Sequence, residues 1–578
     1  MTAPLKQAPY GEPSFQMVRK LGYAYVDKTQ FIPVLENCGT RFPFIVRPRR
    51  FGKSLFANML MAYYDKAAAG RFDQNFNGTW IKDHPTPLAS SYLVLKFDFG
   101  GVDGRGDALM TNFMIRVRDG FQDFATRYLP RNAEFQAAVE SSYATPSAQI
   151  ARLLTAVRAA LPGELIYLIV DEYDQFAQNV LSSGIEQFRA MTGKEGFLKA
   201  FYAVIKSYSD NPVLIERTYI TGVTSISLDS MTSGYNIATN ITNEPEVAGM
   251  MGFTDEELRA LIPQIVDINR CGRSVDEIFE RMRVLYDGYR FSPCSDVTVF
   301  NSSMCLHYLR KMAKSGKEPR ALLDPAFSVN LDKIEGILSL GRCEFVDQVV
   351  SSVLFDKTIE LGELSESINL NASMTMSDDD VLSTLVYMGF LTFSPDDDDL
   401  LTCPNLAVKE VFFKYWFRLL NKDNALSFPS TPLGKAMVGL EKGEVKPLLQ
   451  FVGERLSQCV GGHVHAHLSE TAIQLAVAMA VSTSRSYQVT AEEEALGAGY
   501  TDLIMRPAKG YETAPGWLIE FKYLKKSDAS QASVDAKLLE AVAQLERYSN
   551  AENIKAIPNL RRAAAVFAGT ELQALKVF

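Results

Sequence analysis

"FIVRPRRFGKSLF", residues 44–56, decides how the first third of this chain is read. A short β-rich run from Phe44 to Val46 leads into a turn, and Gly52-Lys53-Ser54 opens the helical pattern "KSLFANMLMAYYD". Strand, loop and helix N-terminus in that order are the setting of a phosphate-binding loop. Gly52 allows close backbone approach, Lys53 would reach the terminal phosphates, and the Ser54 hydroxyl would hold Mg²⁺. Where such a loop begins with glycine, this one has Arg47, followed by Pro48, Arg49 and Arg50. Arg47 lacks glycine's freedom and Pro48 lacks an N–H. The three arginines are expected to supplement the remaining backbone donors around the phosphates.

Outward from the loop, strands alternate with helices. "SYLVLKFDF" (91–99), "ELIYLIVDEYD" (164–174) and "RTYITGVTS" (217–225) are β-rich runs, and the alternation predicts a parallel α/β sheet. Ligands bind such sheets at the carboxyl ends of the strands, where the marked residues cluster. Asp171, at the end of an apolar run, would hold Mg²⁺ through water, and Glu172 would polarise the attacking water. Thr221 is placed to sense a γ-phosphate. Together these predict ATP with Mg²⁺ as cofactors and ATP hydrolysis as the chemistry.

From about residue 252 the texture becomes helical. "FTDEELRALIPQIVD" (253–267) has a threonine N-cap candidate and acids in its first turn. "VLSTLVYMGFLTFSPDDDDLLTCPN" (381–405) reads as a helix feeding a hairpin, as in a winged-helix module. Asp396–Asp399 is expected at the hairpin tip, with a metal cage as the sharper alternative.

The last 150 residues return to mixed α/β. In "GYTDLIMRPAKGYETAPGWLIEFKYL" (499–524), Asp502 precedes one β-rich run and Glu520-Phe521-Lys522 lies on the next. Residues two apart on a strand share a face, so Glu520 and Lys522 point together while Trp517, Ile519 and Phe521 face the core. Two carboxylates from neighbouring strands suit Mg²⁺ or Mn²⁺, and a lysine beside them can orient water or stabilise a pentavalent phosphate. An exposed amphipathic strand would show the same Glu-x-Lys spacing. A helix carrying Glu470 precedes the aspartate, and a helix carrying Gln544 and Tyr548 one turn apart follows the strand. "HVHAHLSE" (463–470) offers three histidines, but their spacing of two shares a face only if extended. A helix approach or a phosphate contact is the expected role there.

The whole chain sets bounds. Its 578 residues exceed one core, and 47% hydrophobic with 22% charged residues is ordinary globular composition. Seven scattered cysteines form no CxxC pair, and no apolar run is long enough for a bilayer. The expectation is a soluble, cytoplasmic protein with no membrane partner. The net charge of −9 argues against a general nucleic-acid coat, although five basic residues and no acid lie between Arg41 and Lys53. Nucleic acid would need a local groove.

"YAYVDKTQFI", "RPRRFGKSL", "LIVDEYD", "TGVTSISLDSMTSGYN" and "YDGYRF" occur here in the order seen in the AAA-ATPase-like family. The resemblance covers most of the chain, and it makes the arginine at position 47 a family trait. It implies a C-terminal PD-(D/E)XK nuclease, whose site would be lined by Asp502, Glu520, Lys522 and Gln544. Where the family often has arginine and aspartate, this chain has Ser225 and Asn240, which removes charge near the γ-phosphate end. The implied fold is a P-loop NTPase domain over 1–250, a helical and winged-helix-like region over 251–430, and a restriction-endonuclease-like α/β domain over 431–578. The implied function is ATP-gated, metal-dependent cleavage of DNA or RNA, with a homo-oligomer as a second partner relation. The alternative is a nucleotide-dependent binding or signalling module whose nuclease fold holds nucleic acid or a partner without cutting.

Overall fold

The computed structural model describes residues 4–102, 107–175, 197–210, 213–224, 235–319, 330–354, 357–365, 376–420, 428–459, 470–482, 486–491, 494–495, 499–508 and 510–578. Ser225 and the histidines at 463, 465 and 467 lie outside the described residues. The chain divides into two compact units, Met1–Asp347 with Thr358–Val408, and Gln348–Lys357 with Lys409–Phe578. Most of the region expected as a separate middle domain, 251–430, therefore belongs to the first unit.

The first unit is built on a five-stranded sheet of β1 (Pro43–Val46), β2 (Leu93–Asp98), β3 (Ile166–Asp171), β4 (Ile215–Gly222) and β5 (Thr239–Asn240), in the order β2-β3-β4-β1-β5. Every neighbouring pair is parallel, as the strand–helix alternation predicts. β3 is buried along its whole length, so both faces of the sheet are covered there. The order places β4, which carries Thr221, between the loop-bearing β1 and the acid-bearing β3. Gly222 ends β4 because a β-carbon there would lie 2.4 Å from the Tyr173 ring and 2.5 Å from Asp174 Oδ1. Helices α1 (Lys53–Tyr64), α2 (Asp107–Tyr128) and α3 (Phe197–Ser209) pack on β3, β2 and β4 respectively.

The helical segment that follows is tied to the phosphate-loop side of this sheet. Helices α4 (Asp255–Ile265) and α5 (Val275–Tyr286) each begin with a capping box, Thr254 with Glu257 and Ser274 with Glu277. Glu257 also accepts from Lys28 Nζ at 2.7 Å, joining the N-terminal segment to α4. Helix α6 (Ser302–Ser315) starts at Asn301 and donates the Ser303 N–H to the Arg50 carbonyl at 3.1 Å. Strands β6 (Tyr289–Arg290) and β7 (Thr298–Val299) form a short ribbon. Helix α7 (Asp378–Tyr387) feeds the hairpin of β9 (Thr392–Phe393) and β10 (Leu400–Thr402), and β8 (Ile359–Glu360) flanks β10. The acidic run 396–399 sits at that hairpin's tip. Asp398 there takes Arg290 NH2 at 2.9 Å and Asp397 caps the Asp399 N–H, so these acids fasten a turn.

The second unit has helices α8 (Lys446–Cys459), α9 (Glu470–Ser482) and α10 (Gln531–Tyr548) around a mixed sheet. Its strands are β11 (Tyr487–Ala491), β12 (Leu503–Pro507), β13 (Trp517–Leu524), β14 (Arg561–Ala568) and β15 (Glu571–Val577), in sequential order. Only β13 and β14 run parallel, with α10 as the crossover. Because α9 and α10 both pack on β13, its residues 517–522 are buried on both faces. Glu520 and Lys522 are thereby drawn into the interior at 1% and 6% exposure. No described helix is long and apolar enough to cross a membrane.

Candidate functional site

The phosphate loop wraps one end of a cavity of about 430 Å³ in the first unit. Arg49 to Phe56 line it together with Glu172, and its other wall is largely apolar, formed by Ala24, Val26, Met250, Phe253, Leu261 and Leu306. That combination, a polar end and an apolar end, suits a nucleotide. Gly52 takes the left-handed conformation the loop requires, φ 92°, and so does Arg50 at φ 75°. Lys53 Nζ donates to the loop's own Arg47 and Pro48 carbonyls at 2.9 and 3.0 Å. Burial pushes the Lys53 ammonium down to about 8 against the opposing pull of Glu172, Asp174 and Asp171. Ser54, on the first turn of α1, lines the same cavity.

The three arginines part company. Arg47, expected among the phosphate contacts, turns into the core behind the loop and is fully buried. Its guanidinium donates to the carbonyls of Val46, Thr242 and Val247 at 2.9, 2.7 and 3.0 Å and lies 4.4 Å from the Phe291 ring centre. The carbonyls that converge behind β1 offer it more than a solvated loop face does. Arg49 donates to Gln175 and faces the charges of Glu172 and Asp174. Arg50 is exposed at the cavity rim.

Asp171 is fully buried at the end of β3, and neither of its carboxylate oxygens accepts a hydrogen bond. The Thr221 hydroxyl, one strand away, is also buried without a partner. Buried polar atoms left in this state call for a ligand, and the two carboxylate oxygens of Asp171 fit a hard divalent cation that keeps water and phosphate ligands. Glu172 adopts φ 52° and lines the cavity. Burial raises its carboxyl's pKa and Asp171 adds to this, while Lys53 and Arg49 pull the other way. Asp174 accepts the Val223 and Thr224 N–H groups at 3.0 and 2.7 Å and so fixes the end of β4. Asn240 accepts the Thr242 N–H at 3.0 Å and shapes the turn whose carbonyl holds Arg47.

In the second unit, Glu520 and Lys522 share a face, and Asp502 stands at the start of the neighbouring β12. Lys522 Nζ donates to Glu520 Oε1 at 3.2 Å, to Glu470 Oε1 at 3.3 Å and to the Phe521 carbonyl at 2.8 Å. Asp502 Oδ2 accepts the Phe521 N–H at 2.6 Å, and the Asp502 carbonyl accepts from Gln474. Glu520 Oε2 and Gln544 Oε1 are buried without a donor. Burial and the adjacent Asp502 raise the Glu520 carboxyl well above the usual range despite Lys522. Burial works against the Lys522 charge, but Glu520, Asp502 and Glu470 outweigh it and raise its pKa. Among the described residues, no three His, Cys, Asp or Glu side chains are gathered closely enough to hold a metal unaided. The orphaned Glu520 oxygen beside Asp502 nonetheless fits a hard cation completed by water or phosphate.

Sequence reasoning missed Lys96 and Asp98, which "SYLVLKFDF" offers only as polar positions of a strand. Asp98 is the register partner of Asp171 on β2, and Lys96 Nζ stands 3.6 Å from Asp171 Oδ2. Asp98 and Glu172 approach the same point, since a β-carbon on Gly100 would lie 2.9 Å from one and 2.8 Å from the other. The signal was the period-2 spacing of Lys96 and Asp98 at a strand's carboxyl end.

Comparison with known proteins agrees with this geometry. Residues 9–232 match the family model described as predicted AAA-ATPase, and residues 468–576 match that of the PD-(D/E)XK nuclease superfamily. The chain is 28% identical over 289 residues to a protein of Azotobacter chroococcum mcd 1 described as an uncharacterized protein in the vnfD 5' region. The match covers 50% of this chain and 49% of that protein, so the chain spans about half the length of this curated relative. No solved structure matches it. With the parallel sheet and cavity of the first unit and the mixed sheet of the second, the chain carries an AAA-ATPase-like domain followed by a C-terminal PD-(D/E)XK nuclease superfamily domain.

Proposed function

We propose that the first unit binds and hydrolyses ATP with Mg²⁺, and that the second cleaves nucleic-acid phosphodiesters with Mg²⁺ or Mn²⁺ under the control of that nucleotide cycle. The observation that carries this reading is the same in both units. A strand holds a buried carboxylate with unpartnered oxygen, Asp171 at the end of β3 in one and Glu520 midway along β13 in the other, and a lysine stands beside each. In the first unit Lys53 and Ser54 face the phosphates, Glu172 takes the proton of the attacking water, and Thr221 donates toward the γ-phosphate. Arg49 and Arg50 add charge at the rim, and Arg47 supports the loop from behind. In the second, Asp502 and Glu520 are the metal ligands, Lys522 orients water or stabilises the phosphate, and Gln544 holds the site's edge. A divalent cation at each site would offset phosphate charge and lower the pKa of water.

A second reading, a nucleotide-dependent binding module, is favoured by one observation. Lys522 bonds directly to Glu470 Oε1 and Glu520 Oε1, so a lysine already neutralises part of the charge that would hold a cation. The deciding assay incubates purified protein with DNA and RNA, with Mg²⁺ or Mn²⁺, with and without ATP. The first reading expects cutting that is lost in Lys522→Ala, which still binds ATP, and ATP binding lost in Lys53→Ala. Equal cutting by Lys522→Ala refutes the site, and no cleavage of any substrate favours the second reading.

A further inference from the structure

Asp171 is a buried carboxylate side chain whose oxygens accept no hydrogen bond, and among the described residues a cation stands beside it on the next strand. Lys96 Nζ lies 3.6 Å from Asp171 Oδ2, and the two side chains are 15% and 1% exposed. Lys96 is held there. It donates to Asn58 Oδ1 at 2.9 Å, and Asn58 Nδ2 donates to the Pro13 carbonyl at 2.8 Å. Pro13 lines the nucleotide cavity, and Asn58 lies on α1, the helix that starts at Lys53. A relay of three contacts thus runs from the cavity wall to the acid at the end of β3.

We infer that Lys96 is a positioning residue of the nucleotide site, a built-in cation that holds the Asp171 carboxylate in place where a divalent metal would bind. This rests on the reading of Asp171 as a metal ligand. Two consequences follow from charge alone. Without metal, Lys96 offsets the Asp171 carboxylate and adds a positive charge near the phosphates, so it favours metal-free nucleotide. With metal, Lys96 and the cation repel across one carboxylate, so it weakens the metal's contribution. Removing the charge must therefore widen the gap between nucleotide affinity with Mg²⁺ and without it. A lysine that only packed and hydrogen-bonded would leave that gap unchanged.

The test uses the full chain and a fluorescent, non-hydrolysable ATP analogue, titrated in Mg²⁺ and in EDTA. The readout is the ratio of the two dissociation constants. Lys96→Gln keeps hydrogen-bonding capacity while removing the charge, and it should raise that ratio by about tenfold or more, the scale of one unit charge in a partly buried site. Lys96→Met should do the same, and if it fails to fold, the glutamine variant carries the test. Lys96→Arg should stay near the wild-type ratio. An unchanged or reduced ratio in Lys96→Gln overturns the inference. Asp171→Asn is the separate control. If it keeps the wild-type ratio, Asp171 is not a metal ligand, and the reading beneath the inference fails in that variant alone.

Discussion

Arg47 occupies the place of a loop glycine, yet it never reaches the loop's ligand side. Its side chain ends among three carbonyls, two of them 195 and 200 residues away in sequence, and against Phe291. Nothing local to "RPRRFGKS" encodes that direction, which is why the residue type was legible and its role was not. Removing the guanidinium would take a charged donor from each of these carbonyls, of which that of Val247 keeps the Met250 N–H, and would open a hole in the core beside Phe291. Arg47→Ala should therefore cost about 3 kcal/mol or more in denaturant unfolding, while exposed Arg50→Ala should stay within about 0.5 kcal/mol. The place of Lys53 was legible, because glycine and lysine after a short strand open a helix, but its bonds to the Arg47 and Pro48 carbonyls were not. Its ammonium titrates at about 8, so it is charged at neutral pH and loses charge as pH rises through that value. Nucleotide affinity should fall between pH 7 and pH 9 in the wild type and stay flat in Lys53→Arg, as read by fluorescence titration.

At the scale of elements, the strand ends spoke most clearly. Asp171 and Thr221 stand at the ends of apolar runs and Glu520 lies within one, and such a run has little freedom to be anything other than a buried strand. Lys96 and Asp98 sit in the same kind of run, but charged residues at alternate positions also describe an ordinary solvated strand. Their partnership with Asp171 appears only once β2 and β3 pair in register. The junction after α5 shows a different kind of constraint. Asp287 follows that helix, and the next position takes glycine because its φ is 90° and a β-carbon there would lie 2.2 Å from the Pro404 carbonyl. The Asp287 carboxyl is buried, with Asp255 adding repulsion and Arg283 and the Gly288 N–H opposing it, and its pKa rises to about 6. Between the ordinary value of 3.8 and about 6 the folded chain keeps a proton that the unfolded chain has released. Above that range both are ionised and the folded state bears the buried charge, so this group destabilises at high pH. Asp287→Asn should stabilise the protein by about 1–2 kcal/mol at pH 8, and the gain should shrink at pH 5.

At the scale of the whole molecule, the sequence reads as three regions, over 1–250, 251–430 and 431–578, whereas the contacts group the chain into two units. Two site constellations on one chain predicted two α/β units, and composition shifts near residues 250 and 430 predicted the cuts. The contacts place them elsewhere. Lys28 with Glu257, Phe51 with Gly252 and Arg50 with Ser303 hold the helical segment to the first sheet, and such long-range pairs leave no mark in local composition. The second unit, in turn, includes Gln348–Lys357, where Val349, Val350, Val353 and Leu354 are all buried. A fragment of residues 409–578 should therefore melt several degrees below the same fragment joined to residues 348–357 by a flexible linker. Equal melting temperatures would show that this decapeptide contributes nothing to the unit's core.

The parked lysine sets an admission rule for the cavity. Lys53 donates to the Arg47 and Pro48 carbonyls, so an anion that draws the ammonium away gives up two hydrogen bonds within the loop. Each such contact is worth about 1–3 kcal/mol when a charged donor is involved. A lone phosphate has nothing else to offer in return. A nucleotide brings a base for the apolar wall and several phosphates for the loop, and it can meet that threshold. Discrimination against small anions thus begins with the lysine's bonds inside its own loop, before any contact to the base is made.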